Sequence, residues 1–99
     1  MEHYTEQHCR GIAHALGCIL LKLSPFGVAG IPDRILLMPG GRLMFIEFKA
    51  PGKGLKPLQR WWRDRLRALG FRVETCRSSA EFRDLLKSCK IQSDQSIEE

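Results

Sequence analysis

Near the start of the chain, Cys9, Ile12, Ala13 and Leu16 recur at i, i+3, i+4 and i+7, which predicts a helix over residues 5–16. Thr5 is placed to cap it, and Gly17 stands where a helix C-terminal glycine belongs. The run Cys18-Ile19-Leu20-Leu21-Lys22-Leu23 predicts a short, mostly buried strand. A loop over residues 24–30 follows, punctuated by one proline and two glycines. Two strands, residues 33–38 and 42–49, then flank Pro39-Gly40-Gly41, a connection with glycine available for positive φ. Ala50-Pro51-Gly52-Lys53-Gly54 ends the second of them, and Pro57 suits the first turn of a helix running to about Leu69. Its apolar stripe is Leu58, Trp61, Trp62, Leu66 and Leu69, with Arg60, Arg63 and Arg67 away from it. Gly70 closes the helix, and residues 71–76 alternate as a strand. Ser78-x-x-Glu81 reads as a capping box opening a last helix to about Ser88, and residues 91–99 read as a frayed acidic tail.

The order is α-β-β-β-α-β-α. A strand–helix–strand step from Lys49 to Cys76 requires a crossover, so the predicted fold is α/β, a mixed sheet covered by helices. The 99 residues allow one domain with a thin core, which a partner subunit would help to complete. No apolar run approaches the ~20 residues of a membrane span. The amino-terminal residues lack the basic start and apolar stretch of a signal peptide, so the expected location is cytoplasmic.

Charge narrows the partner. The net charge is +5, and the acidic residues of 91–99 conceal a more basic body. Between Lys49 and Arg72 stand eight basic residues and one acidic one, Asp64. A field of this kind favours a polyanion, nucleic acid being the commonest, with a solvated helix face as the bland alternative. Cys9, Cys18, Cys76 and Cys89 form no C-x-x-C pair and read as reduced thiols. The spacing of His3, His8 and His14 fits no standard zinc site.

The hairpin carries candidate chemistry. Pairing Met38 with Arg42 across the turn makes paired positions sum to 80 and sets Asp33 opposite Glu47. Lys49 shares their face, while Ile46 and Phe48 point to the other and want a core. Two facing carboxylates repel, which makes sense around a divalent cation with hard oxygen ligands, Mg²⁺ or Mn²⁺. A surface salt bridge of Lys49 with Asp33 or Glu47 is the competing reading of the same spacing.

Gly30-Ile31-Pro32-Asp33, with Phe45-Ile46-Glu47-Phe48-Lys49 following, resembles the PD-(D/E)XK nuclease signature. With Arg34, Gly40-Gly41-Arg42, Ala50-Pro51-Gly52, Leu58-Gln59-x-x-Trp62 and Leu66-x-x-Leu69-Gly70, the string is closer still to the virus-type replication-repair nuclease (VRR-NUC) domain. The resemblance covers about residues 5–77 and implies a restriction-endonuclease-like αβββαβ core, with residues 1–90 as the domain. It implies that Asp33 and Glu47 bind Mg²⁺, with Mn²⁺ able to substitute, and that Lys49 serves the attacking water. The Phe48 carbonyl would be a further ligand. Glu6 matches an additional acidic position, either contacting metal through water or serving only as a first-turn Glu. Gln59 matches a glutamine that organises the site or a phosphate. Lys56 departs from the usual capping Ser or Thr.

The resulting expectation is a Mg²⁺-dependent DNA endonuclease. Lys53, Lys56, Arg60, Arg63 and Arg67 would hold backbone phosphates, giving structure selectivity rather than a base code. Trp61 and Trp62 stack on splayed bases or pack into a core or subunit interface, and their place near the apolar stripe favours burial. Stand-alone viral members resemble Holliday-junction resolvases, which implies a homodimer on branched DNA in a host cytoplasm. The alternatives are a monomeric flap or nicking nuclease and a catalytically silent nucleic-acid-binding module.

Overall fold

The structure, a computed structural model, describes residues 3–23 and 28–91. The expectations for the loop tip at 24–27 and for the acidic tail beyond Ile91 lie outside the described residues. The elements are α1 (His3–Ala15), β1 (Ile19–Lys22), β2 (Arg34–Met38), β3 (Arg42–Phe48), α2 (Pro57–Ala68), β4 (Arg72–Cys76) and α3 (Ser79–Ser88). Their order is the expected one, and the sheet is mixed: β1–β2 and β2–β3 are antiparallel, β3–β4 parallel. Met38 pairs with Arg42 and Arg34 with Ile46, so the register is the one that the turn dictates.

The two faces of the sheet differ. Leu20, Leu36 and Met44 form one cross-strand row and, with Met38, Ile46 and Phe48, are buried against Cys9 and Ala13 of α1 and Phe82 and Leu86 of α3. All four cysteines are buried free thiols. Burial pushes the thiols of Cys9 and Cys76 up, to about 11 and about 12, so both stay protonated and unreactive. Arg42 donates to the Cys89 carbonyl at 2.8 Å and satisfies an orphan acceptor at the α3 C-terminus. At the other end Ser78 Oγ accepts from Glu81 N, but the Glu81 carboxylate takes Arg77 N rather than Ser78 N, so the capping box closes one residue early.

The opposite face is thinly covered, and here two expectations fail. β1 is an edge strand with Ile19 53% and Leu21 44% exposed, because no described element lies over that side of it. The α2 stripe is the second: only Leu66 is buried, on a helix that meets β4, while Leu58, Trp61 and Leu69 stay exposed. Trp61 at 54% exposure is not a core residue of the single chain. The helix touches β4 and leaves β2 and most of β3 open, so its stripe has no sheet beneath it to bury.

What fixes α2 is a set of tethers at its first two turns. Trp62 Nε1 donates to the Ala29 carbonyl at 3.1 Å. Leu58 sits on Gly30, whose φ of +87° is in the glycine region and where a Cβ would meet Leu58 Cγ at 2.7 Å and its backbone carbon at 3.0 Å. Gly30→Ala should therefore lower stability by about 1–3 kcal/mol. Gly11→Ala, in open space within α1, should raise it by about 0.5–1 kcal/mol. Denaturant melts of the two variants test this, and equal effects would refute the close approach at Gly30.

Candidate active site

Asp33 stands one residue before the β2 ladder, and the register that pairs Arg34 with Ile46 sets it beside Glu47. Its backbone is held from two sides, the carbonyl accepting from Leu23 N at 2.8 Å and from Arg34 Nη1 at 3.0 Å. Its side chain reaches across the strand end, Oδ1 accepting from Phe48 N at 3.4 Å. In extended backbone the N–H and C=O of one residue point the same way, so the Phe48 carbonyl also faces Asp33, while Lys49 N turns to Cys76 O at 2.9 Å.

Glu47 is 8% exposed and is the one buried charged residue among those described. Burial first, and the Asp33 charge second, push its carboxyl up to about 7 from an ordinary 4.5, against the pull of Lys49. Asp33 is raised too, again by burial, with Arg34 and the Phe48 N–H opposing. Gln59 holds Glu47 in place: Nε2 donates to Glu47 Oε2 at 3.3 Å, while Oε1 accepts from Lys56 N at 2.8 Å. One side chain thus caps α2 and orients a carboxylate, and the cap that Lys56 cannot provide is supplied from the third position of the helix.

The remaining predicted residues divide. Glu6 pairs with Arg34, Oε2 to Nε at 3.2 Å, with both side chains nearly buried at 12% and 13% exposure. The same guanidinium lies 3.7 Å from Asp33 Oδ2 and over the Phe48 ring, so Glu6 reaches the site through Arg34. Sequence reasoning assigned Arg34 no role, yet a signal existed: it occupies a core-facing position of β2, where a charge needs a partner. Of the basic residues expected to grip phosphate, Arg60 donates to the Leu55 carbonyl, Arg63 pairs with its neighbour Asp64, and Arg67 donates to the Val73 carbonyl. Lys53 and Lys56 are exposed. Among the described residues no three His, Cys, Asp or Glu side chains converge.

Residues 7–80 match the family model of the VRR-NUC domain. The chain belongs to the VRR-NUC family. It is similar to "Putative nuclease p44" of Acyrthosiphon pisum secondary endosymbiont phage 1, at 38% identity over 72 residues, 73% of this chain and 77% of that protein. It also resembles a solved VRR_NUC domain with a TM-score of 0.80 and 28% identity, covering 87% of this chain and 94% of that one. The resemblance read from the motif string and the α/β fold read from the element order are both borne out. In this VRR-NUC nuclease domain, Asp33, Glu47 and Gln59 come together at the junction of β2, β3 and α2.

The raised Glu47 makes the metal-free protein sensitive to pH. Its folded-state value lies above the unfolded one, so between about pH 4.5 and 7 the folded chain holds a proton that the unfolded chain has lost. Stability should fall as pH rises through that window, and the ionised, buried group should remain costly above it. Glu47→Gln should flatten this fall and be the more stable protein at pH 8 by on the order of 1–3 kcal/mol. Urea melts in chelator from pH 5 to 8 measure it, and parallel profiles for the two proteins would overturn it.

Proposed function

We propose that this domain is a Mg²⁺-dependent, structure-selective DNA endonuclease that acts as a homodimer on four-way junctions. The observation that carries the hydrolytic reading is the buried Glu47 beside Asp33, two carboxylates whose charges oppose one another. Such a pair, with the Phe48 carbonyl facing it, fits a hard divalent cation, and Mn²⁺ suits the same donors. When bound, the cation supplies Lewis acidity that activates water and neutralises charge on the phosphodiester oxygens. The chain's own groups do the rest. Gln59 by a hydrogen bond and Arg34 by an ion pair hold the two carboxylates in position, and Lys49, close enough to Glu47 to favour its charged form, orients the attacking water or steadies the charge building on phosphate. Basic side chains around the site hold the DNA backbone, which makes binding independent of base sequence. The presence of Asp33, Glu47, Lys49 and Gln59 in one site favours an enzyme over a silent binding module.

The homodimer is supported by the open face of the sheet. Ile19, Leu37 and Leu43 form one cross-strand row, and Leu21, Ile35 and Phe45 the next. All six are apolar, and Ile19 and Leu21 are about half exposed. Two apolar rows of this kind need a cover, and a second copy of a basic chain can approach over them without meeting charge there. A two-fold pair supplies the second active site that paired incision requires.

Asp33→Ala or Glu47→Ala should abolish cleavage of a cruciform plasmid in Mg²⁺ yet leave DNA binding within a few-fold, because the phosphate contacts are cationic. Cleavage by a folded Glu47→Ala protein, or undiminished cleavage in EDTA, would remove the proposed site. Light scattering at micromolar concentration should give a dimer. Leu21→Lys should reduce it to a monomer and turn paired incisions into single nicks. A monomeric wild-type protein that nicks once would leave a nuclease without the resolvase activity.

A further inference from the structure

β3 and β4 run parallel and end side by side at Phe48 and Cys76. Beyond those ends the chain leaves on two diverging paths, one towards α2 and one into α3. A crevice outside the carboxyl ends of parallel strands is the usual ligand position in an open α/β sheet. Here it is a cleft of about 510 Å³ whose walls include Thr5, Lys49, Pro51, Arg77, Ser78 and Ser79. Its lining holds two cations, Lys49 and Arg77, and no carboxylate among the described residues. The nearest acidic group on α3, Glu81, is engaged with Arg77 N.

Arg77 is anchored without being used up. Its Nη2 donates to the Lys53 carbonyl at 2.7 Å, which ties the β4–α3 turn to the loop after β3. A guanidinium has five N–H donors in a planar fork, so the remaining edge is available for a phosphate. The other side of the site is closed by comparison. The crevice between Glu47 and α2, walled by Gly30, Pro32, Gln59 and Arg63, is about 10 Å³, room for a single water at most. Three of the four α2 arginines, Arg60, Arg63 and Arg67, moreover, already bond within the chain. The roomier space at this end of β3 is therefore the cleft beside Lys49.

We propose that the cleft between Lys49 and Arg77 binds the backbone phosphate next to the scissile one in the cut strand, with Arg77 as its main ligand. This rests on the DNA-nuclease reading and adds a phosphate subsite to it. Lys49 then stands between two successive phosphates, and Arg77 sets the register of the strand against the carboxylates. The contact is to the backbone, so it positions the strand and reads no base.

Fluorescence anisotropy in EDTA with a labelled four-way junction tests binding apart from catalysis. Arg77→Gln keeps a donor for the Lys53 carbonyl and removes the charge, so it separates a folding role from a phosphate role. It should weaken binding about three- to ten-fold near 0.1 M salt and reduce the slope of log K against log salt by about 0.9. Arg77→Lys should restore most of both, while Lys87→Ala, in the last turn of α3, should change neither. A second arm places a single uncharged methylphosphonate at each phosphate around the mapped cut. The wild type should lose cleavage at one flanking position, and Arg77→Gln should be indifferent to the substitution there alone. An unchanged salt slope in Arg77→Gln, or additive losses at every position, would overturn the subsite. If wild-type cleavage occurs with either result, the nuclease reading survives. If the wild type neither binds nor cuts, that reading fails first.

Discussion

Two carboxylates are held against their mutual repulsion by the register of one hairpin. The Pro39-Gly40-Gly41 turn pairs Met38 with Arg42, and every later pair is then forced, down to Asp33 beside Glu47 at the far end. A slip of one residue would move Glu47 to the core face and Phe48 out of it. The buried side chains on that face, Leu36, Met44 and Ile46, oppose such a slip, since it would expose one strand's share of them. The hydrophobic core is thus what enforces the unfavourable charge pair. Burial first, and the Asp33 charge second, push the Glu47 carboxyl up to about 7.

The groups around the pair act on it in different ways. Arg34 places positive charge against Asp33 and is itself satisfied by Glu6, which links α1 to the start of β2. A nearly buried ion pair of this kind is weak evidence for stability, since desolvation offsets much of the attraction, but it does fix geometry. Gln59 contributes no charge and instead holds Glu47 by a hydrogen bond while capping its own helix. The consequence is mechanical: the orientation of Glu47 depends on α2 starting where it does.

That makes the weak seating of α2 the notable tension in the fold. The helix buries only Leu66 and is located mainly by Gln59, by Trp62 on the Ala29 carbonyl and by Leu58 on Gly30. All three tethers lie in its first two turns, beside the site, while Leu69 and Trp61, the latter packed edge-on against Trp62, stay exposed. Arg60, Arg63 and Arg67 are drawn into bonds to backbone carbonyls and to Asp64, so a helix that reads as a phosphate rail is partly a brace. The freer cationic surface lies at the carboxyl ends of β3 and β4, around Lys49 and Arg77.

The chain's periodicities determined the elements, their order and the hairpin register, because each depends on local spacing: four-residue recurrence in α1, alternation in β2 and β3, and glycine at the turn. The proximity of Asp33 to Glu47 was legible for the same reason, being a count across one tight turn. Local spacing does not say which apolar residues find a partner. The α2 stripe and the Ile19 and Leu21 side chains have the pattern of core residues, and only the packing of the layers leaves them exposed. Nor does it say where a long cationic side chain ends. Arg67 and Arg77 are alike in the sequence, yet one closes on Val73 and the other borders the cleft, because a flexible side chain takes the nearest unsatisfied acceptor, and acceptors are placed by the tertiary fold.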